Sequence, residues 1–280
     1  MLFYCIFINC LPNWNAQFVS PLFIGGDYNE WIRFFTDKAE SCQSSRGLVM
    51  PLLEVKDLRI EYPSRHGVHA AVKSLSFSIE RGEIVGVVGE SGAGKSTVGN
   101  AVIDLLSPPG RIAGGDVFLD GEKISGLTPE QMRSVRGSKI GFIFQDPMTS
   151  LNPLFTVEHQ LTETIHANMK VSEKEAYKRA LHLMNQVGIP QPENRLKQYP
   201  HQFSGGMRQR VVIAIALAGE PDLIIADEPT TALDVSIQDQ ILCLIRELCI
   251  KNNVGCMLVT HDMGVVSNVT DKVAVMYRGD

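Results

Sequence analysis

Eight residues constrain this chain more than any others: Gly89-Glu90-Ser91-Gly92-Ala93-Gly94-Lys95-Ser96, which match the spacing G-x-x-x-x-G-K-[ST]. Ile84-Val85-Gly86-Val87-Val88 comes before them, an apolar β-branched run of the kind that forms a buried parallel strand. Thr97 to Leu106 comes after, with Val98, Ala101, Val102, Leu105 and Leu106 on one helical face. Strand, glycine loop and helix thus stand in the order this spacing requires. Glycines let the backbone fold tightly, so several N–H groups converge on phosphate oxygens at a positive helix terminus. Lys95 would reach the β- and γ-phosphates, and the Ser96 hydroxyl would ligate Mg²⁺. The alternative is a glycine-rich turn with a chance Lys-Ser, which average residue usage makes rare. We read a nucleotide-binding loop.

The rest of the chain from Met50 onward reads as a mixture of strands and helices. Leu53, Val55, Leu58, Ile60 and Tyr62 alternate except for a slip near Asp57, which predicts a bulged strand. Pro63 to Gly67 is a hairpin tip, Ala71 to Ile79 a second strand, and Arg81-Gly82-Glu83 the turn before the phosphate loop's strand. Ser107-Pro108-Pro109-Gly110 stops the first helix. Further strands are expected at Gly115–Leu119 and Lys139–Phe144, with a short capped helix from Thr128-Pro129-Glu130 between them. Val157 to Val187 reads as helical, Pro190 to Pro200 as loop, and Gly205 to Ala218 as a mostly apolar helix. The last third alternates: strand Leu223–Ala226, a helix marked by Ile237, Ile241, Leu244, Ile245 and Leu248, strand Val254–Thr260, short helix Asp262–Val269, strand Lys272–Tyr277. This pattern predicts an α/β fold with a doubly wound sheet.

The first 49 residues differ. They hold 10 of the chain's 20 aromatic residues, including both tryptophans, with no clear period. Met1 to Leu11 is apolar, but the first basic residue is Arg33, so the positive flank of a signal peptide is missing. We read 1–49 as an extension outside the fold and 50–280 as one domain, with His66 and His69 as solvated residues of a polar tip rather than metal ligands. The net charge of −5 argues against general affinity for nucleic acid. Six cysteines without C-x-x-C spacing suggest neither a zinc site nor a disulfide framework; Cys243, Cys249 and Cys256 read as small core residues in a reducing cytosol. No stretch reaches the roughly 18 apolar residues of a membrane-spanning helix.

Three further stretches carry chemistry. Asp227-Glu228 ends the apolar strand Leu223–Ala226; one carboxylate there can hold Mg²⁺ and the next can polarise an attacking water. Phe203-Ser204-Gly205-Gly206-Met207 precedes a helix, a second anion-binding arrangement. One nucleotide has little use for two such loops, but two copies facing head to tail could share two nucleotides across a C₂ interface. Thr260-His261-Asp262 follows the strand Val254–Val259, placing a histidine where it can donate to a γ-phosphate.

Taken in order (phosphate loop, Gln145, Ser204-Gly205-Gly206, acidic strand, Ala232-Leu233-Asp234, His261), the set resembles the ATP-binding subunit of an ABC transporter. Phe144 to Pro153, Tyr199 to Arg210 and Ala226 to Asp234 bring it closer to the peptide/nickel importer subfamily, over roughly Pro51 to Asp280. The resemblance implies a nucleotide-binding domain with an N-terminal antiparallel β subdomain and a helical subdomain at about 146–204. Gly89, Ser91, Gly92, Gly94, Lys95, Ser96 and Thr97 would hold ATP, with Tyr62 stacked on adenine. Gln145 would contact Mg²⁺ and the attacking water, Asp227 would support Mg²⁺, Glu228 would be the general base, and His261 would fix the γ-phosphate. Ser204, Gly205 and Gly206 would reach the nucleotide of the opposite subunit, and Asp234 would join the two sites. Met207 stands where the wider superfamily has Gln, and subfamily members continue beyond Asp280.

The implied activity is ATP hydrolysis that energises import, of di- or oligopeptides before nickel, at the cytoplasmic face of the membrane. The implied partners are a second ATP-binding subunit, two permease subunits that dock behind Gln145, and indirectly a solute-binding protein. An ABC-type ATPase of DNA repair would need a long coiled coil between Gln145 and Ser204, and that stretch lacks sustained heptads. An inactive fragment of a transporter subunit is the other alternative.

Overall fold

The structure, a computed structural model, describes residues 50–279 apart from 66, 232, 263–265 and 267. The stretch 1–49, His66 and Ala232 therefore lie outside the described residues. Two sheets organise the rest. The first is antiparallel, in the order β2-β1-β4-β5, from β1 (Leu53–Ser64), β2 (Gly67–Ile79), β4 (Arg111–Leu119) and the two-residue β5 (Glu122–Lys123). β1 pairs with β2 from Leu53↔Ile79 to Ser64↔Gly67, and the register slips between Val55 and Leu58. Asp57, at φ 47, is the bulge; its N–H donates to Ser76 Oγ at 2.8 Å because the slip has removed its ladder partner.

The second sheet is parallel, in the order β6-β7-β8-β3-β9, from β6 (Ile140–Ile143), β7 (Leu223–Asp227), β8 (Gly255–Thr260), β3 (Ile84–Gly89) and β9 (Lys272–Met276). Both faces are covered, so the strands read as continuous apolar runs rather than alternations. The period of two still sorts their side chains. Ile224, Ala226, Cys256 and Leu258 enter a core beneath the helical part of the chain. Leu223, Ile225, Met257, Val259, Val85 and Val87 enter a core shared with the antiparallel sheet.

Helix α1 (Lys95–Val102) follows β3 and ends four residues before the apolar periodicity does. Asp104 turns left-handed at φ 51, and Arg136 donates to Ile103 O and Asp104 O, each at 2.7 Å. A guanidinium from a distant segment thus takes up the terminal carbonyls, which no local pattern announces. Leu105 is left 43% exposed.

Helix α2 (Pro129–Arg133) opens with a capping box made by Thr128 and Gln131. After β6 come α3 (Pro147–Ser150), α4 (Val157–Asn168), α5 (Glu173–Gln186), α6 (Pro192–Leu196) and α7 (Gly205–Leu217). The helical pattern expected over Val157–Val187 is two helices: Met169 is extended, and Ser172 recaps the chain by accepting from Glu175 N–H. The Ser172-x-x-Glu175 spacing is a helix-start signal that the longer periodicity obscured. The Pro190–Pro200 segment is also more ordered than expected, since it contains α6.

After β7 comes α8 (Val235–Asn252), which packs on the first core through Ile241, Leu244, Ile245 and Leu248. Cys249 and Cys256 are buried as expected, but Cys243 is exposed on the solvent side of α8. Its apolar neighbours in sequence face inward while it does not. Of the helix expected over Asp262–Val269, Val266, Asn268 and Val269 are helical, whereas Asp262 is not.

Candidate nucleotide site

Parallel register brings the chemistry to one edge. Val87 pairs with Val259, Val259 with Asp227, and Val88 with Thr260. The carboxyl ends of β3, β7 and β8 therefore lie in line, and the phosphate loop, the acidic pair and His261 leave the sheet side by side. Ligands of doubly wound sheets bind at this edge.

The phosphate loop closes on Gly94, which caps α1 at φ 98. A Cβ there would stand 2.6 Å from Ala71 O of β2, so both the left-handed backbone and the close approach demand glycine. Lys95 is only 5% exposed, and its Nζ donates to Gly89 O and Glu90 O, both at 2.9 Å. The ammonium thus sits within its own loop, where phosphate oxygens would take over those bonds. Ser96 Oγ donates to Asp227 Oδ1 at 2.8 Å, across 131 residues of chain.

Asp227 is itself buried. Burial pushes its carboxyl above the ordinary aspartate range and the Glu228 charge acts the same way, while the Ser96 hydroxyl and the Lys95 ammonium oppose. Because the folded protein holds this proton more tightly than the unfolded chain, the group's contribution to stability is complete below the ordinary Asp range. It is lost as pH rises through the raised value, and at neutral pH the ionised group costs stability. Asp227→Asn, neutral and still able to accept from Ser96, should raise the melting temperature without nucleotide at pH 7. The gain should shrink on acidification; equal melting temperatures at pH 7 would count against a strained charge.

Glu228 stands at φ 45, a conformation rare for a residue with a side chain and found where function retains strain. Its carboxylate is the hub of the site. Gln145 Nε2, from the chain leaving β6, donates to Oε2 at 3.0 Å. His261 Nδ1, from the chain leaving β8, faces Oε1 at 3.2 Å. Thr231 Oγ1 also donates to Oε2, at 2.9 Å. Sequence reasoning passed over Thr231, although the i to i+3 spacing after Glu228 was available as a signal.

The remaining expected residues gather elsewhere. Ser204 caps α7 by accepting from Met207 N–H, and a Cβ on Gly206 would come within 2.7 Å of Ile237 Cγ2. Gly205 lies beside Leu233, and Asp234 stands at the start of α8, so the two helix starts form one neighbourhood. Among the described residues, no hydrogen bond joins Ser204, Gly205, Gly206 or Asp234 to Lys95, Ser96, Asp227 or Glu228. Tyr62, at the end of β1, is partly buried against the second core, with its ring edge under Gly110. Ser91 and Gly92 form the tip of the phosphate loop, and Thr97 lies in the first turn of α1.

Comparison with known proteins identifies the family and the fold. The sequence profile of the family described as ABC transporter matches residues 72–231. The oligopeptide transport ATP-binding protein OppD of Bacillus subtilis (strain 168) is 51% identical over 232 residues, 82% of this chain and 65% of its own length. The dipeptide transport ATP-binding protein DppD of the same organism is 49% identical over 229 residues, 81% of this chain and 68% of its own. The chain thus spans about two thirds of these relatives. Among solved structures, the dimeric ATP-binding cassette MJ0796 bound to ADP and Pi aligns with a TM-score of 0.71 at 30% identity, covering 81% of this chain and 95% of that one. CbiO1 from Clostridium perfringens, part of the ABC transporter complex cbiONQ, aligns with a TM-score of 0.70 at 30% identity, over 82% and 86%. A phosphate loop on a parallel sheet, an antiparallel sheet beside it and a helical insertion are the architecture of these cassettes, and the chain belongs to the ABC transporter family, carrying its nucleotide-binding ATPase domain.

Proposed function

We propose that the chain hydrolyses ATP as the energising subunit of an importer for di- or oligopeptides. The observation that carries this reading is the convergence of Gln145, Glu228 and His261 beside the phosphate loop, reinforced by the OppD and DppD relatives. The working fold is placed at 50–280, with 146–204 as its helical part.

In this reading the loop N–H groups and Lys95 bind the phosphates, helped by Gly89, Ser91, Gly92, Gly94 and Thr97. Ser96 and Asp227 offer oxygen atoms, as does Gln145 through its amide oxygen while Nε2 is held by Glu228, and Asp227 is a buried carboxylate that lacks a full counter-charge; both facts suit a hard divalent cation. Mg²⁺ bound there supplies charge neutralisation to the phosphates. Glu228 accepts a proton from the attacking water, Gln145 orients that water, and His261 donates to the γ-phosphate. Tyr62 offers its ring to adenine.

Ser204, Gly205 and Gly206 sit apart from this network within one chain, as groups do when they serve a nucleotide held by a second subunit; Asp234 lies where the two would meet. Phe144, Met148, Leu154 and Phe155 are exposed apolar side chains just after β6, a surface suited to an apolar segment of a permease. Among the described residues no helix is long and apolar enough to cross a membrane. The likeness to the OppD and DppD transport proteins supports a peripheral place on the cytoplasmic face, held by permeases.

Light scattering on the full chain tests the shared-site reading. Mass should double with ATP when turnover is blocked and return to one copy without nucleotide. Ser204→Arg, which puts a long charged side chain at the shared phosphate, should prevent the doubling. A chain that remains single with ATP, or a Ser204→Arg variant that doubles normally, would remove it.

A further inference from the structure

The turn after β7 brings a residue onto the proposed base from within the same loop. Glu228 is left-handed, Pro229 restricts the next φ, and Thr231 N–H returns to Glu228 O at 3.3 Å. This closure sets the Thr231 hydroxyl on the Glu228 carboxylate, where Oγ1 donates to Oε2 at 2.9 Å. Gln145 Nε2 donates to the same oxygen at 3.0 Å. A carboxylate oxygen has two lone pairs, so Oε2 is filled from two sides. Among the described residues Oε1 meets only the His261 ring, at 3.2 Å, and keeps a lone pair for another donor.

We infer that Thr231 is a positioning residue: its hydroxyl fixes the carboxylate rotation of Glu228 so that Oε1, rather than Oε2, faces the attacking water. This rests on the reading of Glu228 as the base. Thr231 lies in the segment that leads to Asp234, so a partner that engages this segment would act on the orientation of the base through a single hydrogen bond. Thr231 is solvent-exposed, so replacing its side chain leaves both cores untouched.

The test uses the purified full chain and steady-state ATP hydrolysis over a range of ATP concentrations. Thr231→Val keeps the branched shape and loses the hydroxyl; Thr231→Ser keeps the hydroxyl. Thr231→Val should lower kcat about 10-fold with KM for ATP and the melting temperature unchanged, while Thr231→Ser stays within about two-fold of wild type. In a Glu228→Gln background, Thr231→Val should cost nothing further, because the oxygen it aims no longer acts as a base. An unchanged or raised kcat in Thr231→Val, an equal loss in Thr231→Ser, or a loss matched by a rise in KM would each overturn the inference. Glu228→Gln alone separates the two ideas. If it hydrolyses ATP near the wild-type rate, the base reading falls and this inference falls with it; if it is inactive while Thr231→Val is not impaired, only the role of Thr231 is lost.

Discussion

Glu228→Gln should bind ATP with wild-type affinity and hydrolyse it roughly 10²- to 10⁴-fold more slowly, the range that a positioned general base contributes. The substitution is close to isosteric, and its amide oxygen can still accept from Gln145 or Thr231. The left-handed turn at Glu228 and the bond from its N–H to Val259 O at 2.9 Å belong to the backbone and persist. What disappears is the ability to take a proton from water. Nucleotide affinity by fluorescence, with single-turnover hydrolysis on the same preparation, separates binding from chemistry. Turnover within about three-fold of wild type would remove Glu228 as the base, and a collapse of affinity would make it a structural residue.

Lys95→Ala should act at the earlier step and weaken ATP binding by about 10- to 100-fold or more, since hydrogen bonds to charged groups are each worth about 1.5–3 kcal/mol. The side chain is almost wholly buried, and its ammonium holds Gly89 O and Glu90 O. Truncation removes the cation that meets the β- and γ-phosphates and also leaves two loop carbonyls without their donor, so the loop loses its shape as well as its charge. Titration calorimetry with ATP and Mg²⁺ measures the first effect. Wild-type affinity in Lys95→Ala would mean that the loop N–H groups bind phosphate alone.

These two variants probe different kinds of information in the chain. Lys95 was legible from its neighbours: a glycine loop ends at Gly94, an apolar strand leads in and a helix leads out, all between Ile84 and Val102. Asp57 was legible for the same reason, because a bulge shows as a slip in a two-residue period. The end of α1 was not, since Arg136 stops it from 33 residues away. Nor was the exposure of Cys243, because apolar neighbours in sequence do not say which side of a helix a residue occupies. The break between α4 and α5 was written in Ser172 and Glu175, and a longer helical pattern hid it.

The candidate site divides in the same way. Order and residue type alone settled that this chain has a phosphate loop, an acidic pair after a strand, a second capped glycine turn and a histidine at a strand end, because each is a local match between side chain and backbone. That Gln145 reaches Glu228 across 83 residues and His261 reaches it across 33 was decided only by parallel register, which lines up the carboxyl ends of β6, β7 and β8. Pairing of distant strands depends on burying both faces of the sheet at once, and no short window of residues encodes that condition.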